Sequence, residues 1–319
     1  LVALETGKVK LSDKVDTGNG IYQVQGRELK DHNWHRGGYG ELTVQEGLAT
    51  SSNIAIYKTM EKAFGNNPQS YFNLLANMSY GKPDSITGIA NLKPAHIVTP
   101  KDNNWAKSDF AWSSIGYNQH VSPIQILTFY NAIANNGKMM QPYIVEEFID
   151  ENKTVWKREP TVINKKIASD NAINTMRSLL EGVVQQGTAS NIKDSIIPIA
   201  GKTGTALIAQ DGGYRSEGKQ YVASFAGYFP ANNPLYSCIV VVHKPKQGLY
   251  YGSQIAAPVF HEIAKKIYAT QLEIHSIENK ETYYNILPFY APAKLINNLQ
   301  SKIKITTYPF YSNNGFAKL

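Results

Sequence analysis

The sequence predicts an α+β fold in which an antiparallel sheet is flanked by helices. Three observations predict it. Through residue 187 the apolar residues recur mainly at helical spacing, punctuated by capping signals. The period then falls to two, in apolar runs at 196–207, 221–229 and 236–243 bounded by Gly, Pro and Asn clusters. Helical spacing returns at 256–269, a helix that packs back on the sheet.

Taken in order, Leu1-Val2-Ala3-Leu4-Glu5 reads as the tail of an apolar helix stopped by Gly7, so the start looks like that of a shortened chain. Residues 42–65 read as two short helices around Ser51-Ser52-Asn53. Thr43-Val44-Gln45-Glu46 fits a capping box for the first, and Ile54, Tyr57 and Lys58 resume helical spacing until Gly65. Ser122-Pro123 supplies an N-cap followed by proline at the first helical position, and Gly137 closes that helix after Asn136. Another helix spans 170–186 and stops at Gly187. A polar loop over 210–220 separates the first two strands. Beyond Thr270 the composition shifts to Asn, Tyr and Lys, with a helical pattern at 292–300 and a strand pattern at 302–308. The expected division is one domain over 1–270 and, over 271–319, a linker or the start of a small appended module.

Composition narrows the function classes. A 319-residue chain with 42% hydrophobic content can bury one large core. The net charge of +7 is scattered without a run of five or six basic residues, which argues against nucleic acid as a partner. A single cysteine, Cys238, excludes an intrachain disulfide framework and reads as a small buried strand residue. His120, His243 and His261 show no zinc-ligand spacing, and no cofactor is expected. No stretch approaches the ~18 apolar residues of a membrane span, and none of these residues reads as a signal peptide.

The chemistry concentrates in Gly201-Lys202-Thr203-Gly204-Thr205-Ala206 and in Ser51-Ser52-Asn53. Acyl transfer at a hindered amide needs a nucleophile, a base, a proton relay to the leaving amine, a carboxylate anchor and an oxyanion hole. Lys202 offers a point positive charge, and the Thr203 and Thr205 hydroxyls can bond a carboxylate. Gly204 leaves room for a peptide to lie along the strand edge, and the Thr205 N–H can face a developing oxyanion. A hydroxyl at Ser51 can pass a proton between a lysine and the leaving nitrogen, with the Asn53 amide holding that lysine and a substrate carbonyl. Read alone, the 50–53 cluster is an ordinary set of capping residues; the separation and order of Asn53 and Lys202 shift the balance. Four Ser-x-x-Lys matches begin at Ser79, Ser190, Ser216 and Ser301. All follow Ser51, and none opens an apolar helix that would bury its lysine and lower its pKa, so they read as chance.

Lys-Thr-Gly preceded by Ser-x-Asn is two thirds of the penicilloyl-serine signature. Over residues 1–269 the chain resembles class B penicillin-binding proteins, most of all the division-specific transpeptidases. Further stretches carry the likeness: 112–117 (Trp-Ser-Ser-Ile-Gly-Tyr), Val121-Ser122-Pro123-Ile124-Gln125, Gly182-Val183-Val184 with Gly187-Thr188-Ala189, the run 222–230, Tyr250-Tyr251-Gly252, and Ala257-Pro258-Val259-Phe260. The resemblance implies the penicilloyl-serine transferase (β-lactamase/transpeptidase-like) fold and peptidoglycan cross-linking through an acyl-serine during cell division. It implies peptidoglycan stem peptides, β-lactams and divisome membrane proteins as partners. It also implies an N-terminal membrane anchor and a place on the extracytoplasmic (periplasmic) face of the inner membrane. Ser51 is then the relay serine, Asn53 its partner, and Lys202, Thr203 and Thr205 bind the donor carboxylate. In the family the Ser-x-x-Lys motif opens the helix whose tail resembles residues 1–5, about two helical turns before Leu1, so this chain alone is expected to be inactive. Three alternatives stay open: a non-catalytic β-lactam sensor or divisome scaffold, a D,D-carboxypeptidase, and a β-lactamase. The 149 positions from Asn53 to Lys202 (202 − 53) argue against the compact lactamases.

Overall fold

The computed structural model describes residues 1–151, 153–208, 219–246, 248–270, 290–292 and 316–318. Two units emerge, Leu1–Ile267 and Tyr268–Leu319. In the second, β14 (Tyr290–Pro292) pairs antiparallel with β15 (Phe316–Lys318). The polar loop expected at 210–220 and the helix and strand expected at 292–300 and 302–308 fall almost wholly outside the described residues.

The first unit opens on α1 (Val2–Glu5), whose Glu5 carboxylate accepts the Ser169 N–H and hydroxyl at 2.9 and 2.7 Å. β1 (Lys14–Asp16) and β4 (Glu41–Thr43) pair antiparallel, and the hairpin of β2 (Ile21–Val24) and β3 (Arg27–Lys30) lies between them in sequence. α2 (Val44–Ala49) starts at the predicted capping box. The Glu46 N–H reaches the Thr43 hydroxyl at 3.1 Å, and the Thr43 N–H returns to the Glu46 carboxylate at 2.7 Å. α3 (Asn53–Phe64) follows after three residues, then α4 (Pro68–Asn77). β5 (His96–Ile97), α5 (Asp109–Ser114) and β6 (Gln119–His120) lead to α6 (Pro123–Ala134), which begins at the expected Ser122-Pro123. Its exit uses two positive-φ residues, Asn136 and Gly137.

A long antiparallel ribbon follows that the sequence did not announce. β7 (Met139–Met140) pairs with β10 (Val162–Asn164), and β8 (Glu147–Asp150) pairs with β9 (Lys153–Lys157). Every described residue of β8 and β9 is exposed, so no buried face imposes the apolar–polar alternation that marks a strand. α7 (Asp170–Gln186) matches its expected bounds. Gly187 ends it in an extended conformation, φ −102°, rather than a left-handed one.

The main sheet is β11 (Ala200–Leu207), β12 (Tyr221–Phe229) and β13 (Tyr236–His243), in that order and antiparallel throughout. β11 starts four residues later than the apolar run suggested. The Ile196 and Ile197 N–H groups turn onto the Asp194 carboxylate at 2.8 and 3.1 Å, and Pro198 has no N–H to give a ladder. β12 is apolar on both faces because both are covered. Phe225 and Phe229 meet Phe260 of α8 (Gly252–Thr270) with ring centroids 4.7 and 5.8 Å apart. Ala226 and Tyr228, which alternate with them, point the other way into the core. α8 also begins earlier than expected, at Gly252. Cys238 is half-buried instead of fully buried, because β13 is the outer strand; burial still pushes its thiol pKa up.

Candidate active site

α2 ends in a Schellman turn. The Ser52 N–H reaches back to the Gly47 carbonyl at 2.9 Å and the Ser51 N–H to the Leu48 carbonyl at 3.2 Å. That motif places Ser51 where glycine is the usual residue, and Ser51 takes the left-handed conformation, φ 57°. Ser52 then caps α3, its hydroxyl accepting the Ala55 N–H at 3.0 Å.

Across the gap stands β11, an edge strand of the sheet. The Lys202 ammonium nitrogen donates to the Ser51 hydroxyl, and it lies 3.2 Å from the Thr203 carbonyl and 3.4 Å from the Thr203 hydroxyl. Desolvation lowers the Lys202 pKa to about 8. Among the described residues no carboxylate pairs with it. The two predicted motifs, 151 residues apart, are thus joined by a lysine–serine contact.

Thr188 completes the cluster, and its side chain was missed in the sequence, where Gly187-Thr188-Ala189 signified only a helix end. Its N–H is fixed by the Ala49 carbonyl at 3.0 Å, and its hydroxyl stands 3.4 Å from the Ser51 hydroxyl and 2.9 Å from that of Thr203. The other predicted residues sit less centrally. Asn53 is the first residue of α3, and its amide donates to the Lys30 carbonyl at 2.7 Å. The Thr205 hydroxyl accepts the Gly252 N–H at 3.1 Å, tying β11 to the start of α8. At Gly204 a Cβ would come within 2.4 Å of the Ser224 hydroxyl, a side-chain end that would have to rotate away to admit it.

A half-open cavity of about 800 Å³ reaches the strand segment 202–206. Most of its lining is apolar, with Leu1, Leu4, Ile56, Met60, Phe129 and Leu180 among it; Ser51 and Asn53 lie outside it. Outside that lining, a row of rings runs toward the Ser51 turn. Tyr221 stacks on Tyr250 at 4.4 Å, Tyr250 meets Tyr251 at 4.5 Å, Tyr251 meets His32 at 6.3 Å, and His32 meets Tyr39 at 5.7 Å. The Tyr39 hydroxyl ends the row on the Thr50 carbonyl, next to Ser51. No sequence signal points to this row, because its members come from three distant segments.

Two Ser-x-x-Lys matches are described, and neither has a catalytic setting. Ser79 sits in a left-handed turn accepting the Asn164 amide, and its Lys82 pairs with Asp84. Ser190 opens a 3-10 turn, Ser190–Ile192. Ser216 and Ser301 lie outside the described residues. His261 pairs with Asp194 at 2.8 Å, and His120 stacks on His96.

Residues 1–265 match the family model described as penicillin binding protein transpeptidase domain. The chain belongs to that family. It is 30% identical over 269 residues to stage V sporulation protein D of Bacillus subtilis, covering 82% of this chain and 39% of that protein. It is 28% identical over 266 residues to peptidoglycan D,D-transpeptidase FtsI of Escherichia coli, covering 82% and 41%. The chain therefore spans about two fifths of these curated relatives. Among solved structures, the transpeptidase domain of Burkholderia pseudomallei penicillin-binding protein 3 superposes with a TM-score of 0.69 at 28% identity, over 85% of this chain and 76% of that one. Penicillin-binding protein 3 of Mycobacterium tuberculosis, solved with aztreonam, gives 0.71 at 25% identity, over 84% and 60%. The transpeptidase family and its α+β fold are those the motifs implied.

Proposed function

We propose that this domain cross-links peptidoglycan stem peptides during cell division through an acyl-serine intermediate, and that β-lactams acylate the same serine. The observation that carries the reading is the Lys202–Ser51 contact between the α2–α3 turn and the edge strand β11. A lysine held near pKa 8 exchanges its proton readily at neutral pH, which suits a relay. The donor stem peptide adds along β11 as an extra strand, its terminal carboxylate on the Thr203 and Thr205 hydroxyls and the Lys202 charge. The nucleophilic serine gives its proton to the lysine of its own Ser-x-x-Lys motif, which later recharges Lys202, as its oxygen bonds to the penultimate D-alanine carbonyl carbon, whose oxyanion faces the Thr205 N–H. The C–N bond then breaks, and Ser51 gives its proton to the leaving D-alanine nitrogen while Lys202 restores it. The amine nitrogen of a second stem then bonds to the same carbon, the ester C–O bond breaks, and the proton the amine loses returns to the serine oxygen, completing the cross-link. Asn53 sets the loop from which Ser51 acts.

The nucleophile in this reading belongs to a Ser-x-x-Lys helix that runs into α1. Protein interiors are close-packed, and the apolar lining of the cavity between α1, α3, α6 and the sheet supports a helix packed there. Residues 1–270 form the transpeptidase domain and 271–319 a linker or appended module. A membrane anchor elsewhere in the protein would hold the domain at the extracytoplasmic face, beside its divisome partners. Among the described residues, no helix is long and apolar enough to cross a membrane.

Pentapeptide stems with an acceptor stem, incubated with the complete gene product, test the reading. Release of D-alanine with formation of cross-linked dimers is the expected outcome. Release without dimers means a carboxypeptidase, and neither product means a sensor or scaffold.

A further inference from the structure

The Ser51 turn is clasped from behind by the end of β3. Asp31 and Ser52 are both wholly buried. One Asp31 carboxylate oxygen accepts the Ser52 hydroxyl at 2.8 Å, and the other accepts the Ile54 N–H at 3.1 Å. The Ser52 oxygen already accepts the Ala55 N–H, so its own proton goes to Asp31. Asp31 is itself fixed by its backbone. Its N–H donates to the Gly20 carbonyl at 3.0 Å, and its carbonyl accepts the Trp34 N–H at 3.2 Å. The adjacent Lys30 carbonyl holds the Asn53 amide. Residues 30 and 31 thus grip Ser52 and Asn53, next to a serine with an unfavourable φ of 57°. A backbone so strained persists only where its surroundings over-determine it.

We propose that Asp31 is the positioning residue of this site: its buried carboxylate, by taking the Ser52 hydroxyl and the Ile54 N–H, fixes the turn that delivers the Ser51 hydroxyl to Lys202. The inference rests on the reading of Ser51 as the proton relay. Two donors face two oxygens, and only a carboxylate satisfies both. An asparagine leaves either the Ser52 hydroxyl or the Ile54 N–H opposite an NH₂ group.

The test compares Asp31→Asn, Ser51→Ala and the double variant in the complete gene product, by rate of benzylpenicillin acylation. Asp31→Asn slows acylation by about tenfold to a hundredfold, as small misplacements of a reacting group do. Ser51→Ala slows it at least as much, and adding Asp31→Asn to Ser51→Ala costs nothing more. A merely structural role would make the two losses multiply, and that result overturns the proposal. Full acylation by Asp31→Asn beside a slow Ser51→Ala also overturns it. Unchanged acylation by Ser51→Ala sinks the relay reading instead. Amide hydrogen exchange gives a readout independent of the chemistry. Asp31→Asn accelerates exchange at Ser52, Ile54 and Ala55 at least tenfold, while the α7 interior is unchanged; unchanged exchange at 52–55 refutes the proposal. Should Asp31→Asn fail to fold, Ser52→Ala decides by the same double comparison. A severalfold loss that vanishes in the Ser51→Ala background supports the proposal, and an undiminished rate overturns it.

Discussion

Ser51 takes the left-handed conformation, φ 57°, while its hydroxyl accepts the Lys202 ammonium. A non-glycine residue in the left-handed region costs about 1 kcal/mol, and the Schellman turn that puts Ser51 there is one that glycine serves better. Ser51→Gly and Ser51→Ala both remove the hydroxyl and its contact with Lys202, but only glycine relieves the backbone. The glycine variant is therefore expected to be more stable than the alanine variant by about 1 kcal/mol in urea unfolding, with both slow in acylation. Equal stability would mean that the turn is unstrained. Lys202 makes a second prediction. Its folded pKa of about 8 lies below the unfolded value of about 10.4, so between these values the unfolded chain binds more protons. Stability relative to Lys202→Met consequently rises with pH from about 8 to 10.4, by ~3 kcal/mol at most, and is flat below 8. Urea midpoints of the two proteins across that window give the difference; a fall with rising pH would reverse the assignment. These residue-level motifs were legible because both are local strings. The bridging Thr188 hydroxyl was not, since its partners lie 137 and 15 residues away in sequence.

At the scale of elements, the site depends on the crossing of α8 with β11. A Cβ at Gly252 would lie 2.3 Å from the Ser224 carbonyl oxygen and 2.5 Å from that of Gly204, both backbone atoms that cannot swing away. Gly252→Ala is expected to push the start of α8 off the strand, break the Thr205–Gly252 bond and destabilise the domain by about 1–3 kcal/mol. Thermal unfolding checks this, and an unshifted midpoint would show that α8 tolerates displacement. Legibility followed local signalling here as well. The helices 44–49, 123–134 and 170–186 were placed by caps and proline, which act within one turn. The ribbon of β8 and β9 escaped because solvent covers both its faces, and the start of β11 slipped because an aspartate-centred turn withholds two isoleucines from the ladder.

At the scale of the molecule, the central feature is the apolar cavity of about 800 Å³ beside the β11 edge. If the nucleophile helix fills it, the 319-residue chain alone binds a hydrophobic reporter dye strongly, and the complete gene product does not. Equal dye binding by the two would place that helix elsewhere. Such a cavity was not legible in a linear pattern, because its walls come from α1, α3, α6, α7 and all three strands of the main sheet. Intact-mass measurement after incubation of the complete gene product with benzylpenicillin, followed by peptide mapping, tests the acyl-transfer account most directly. The account predicts one adduct on a serine that precedes Leu1, formed far more slowly when Lys202 or Ser51 is replaced by alanine. An adduct on a serine within residues 1–319, or none on the unsubstituted protein, would contradict it.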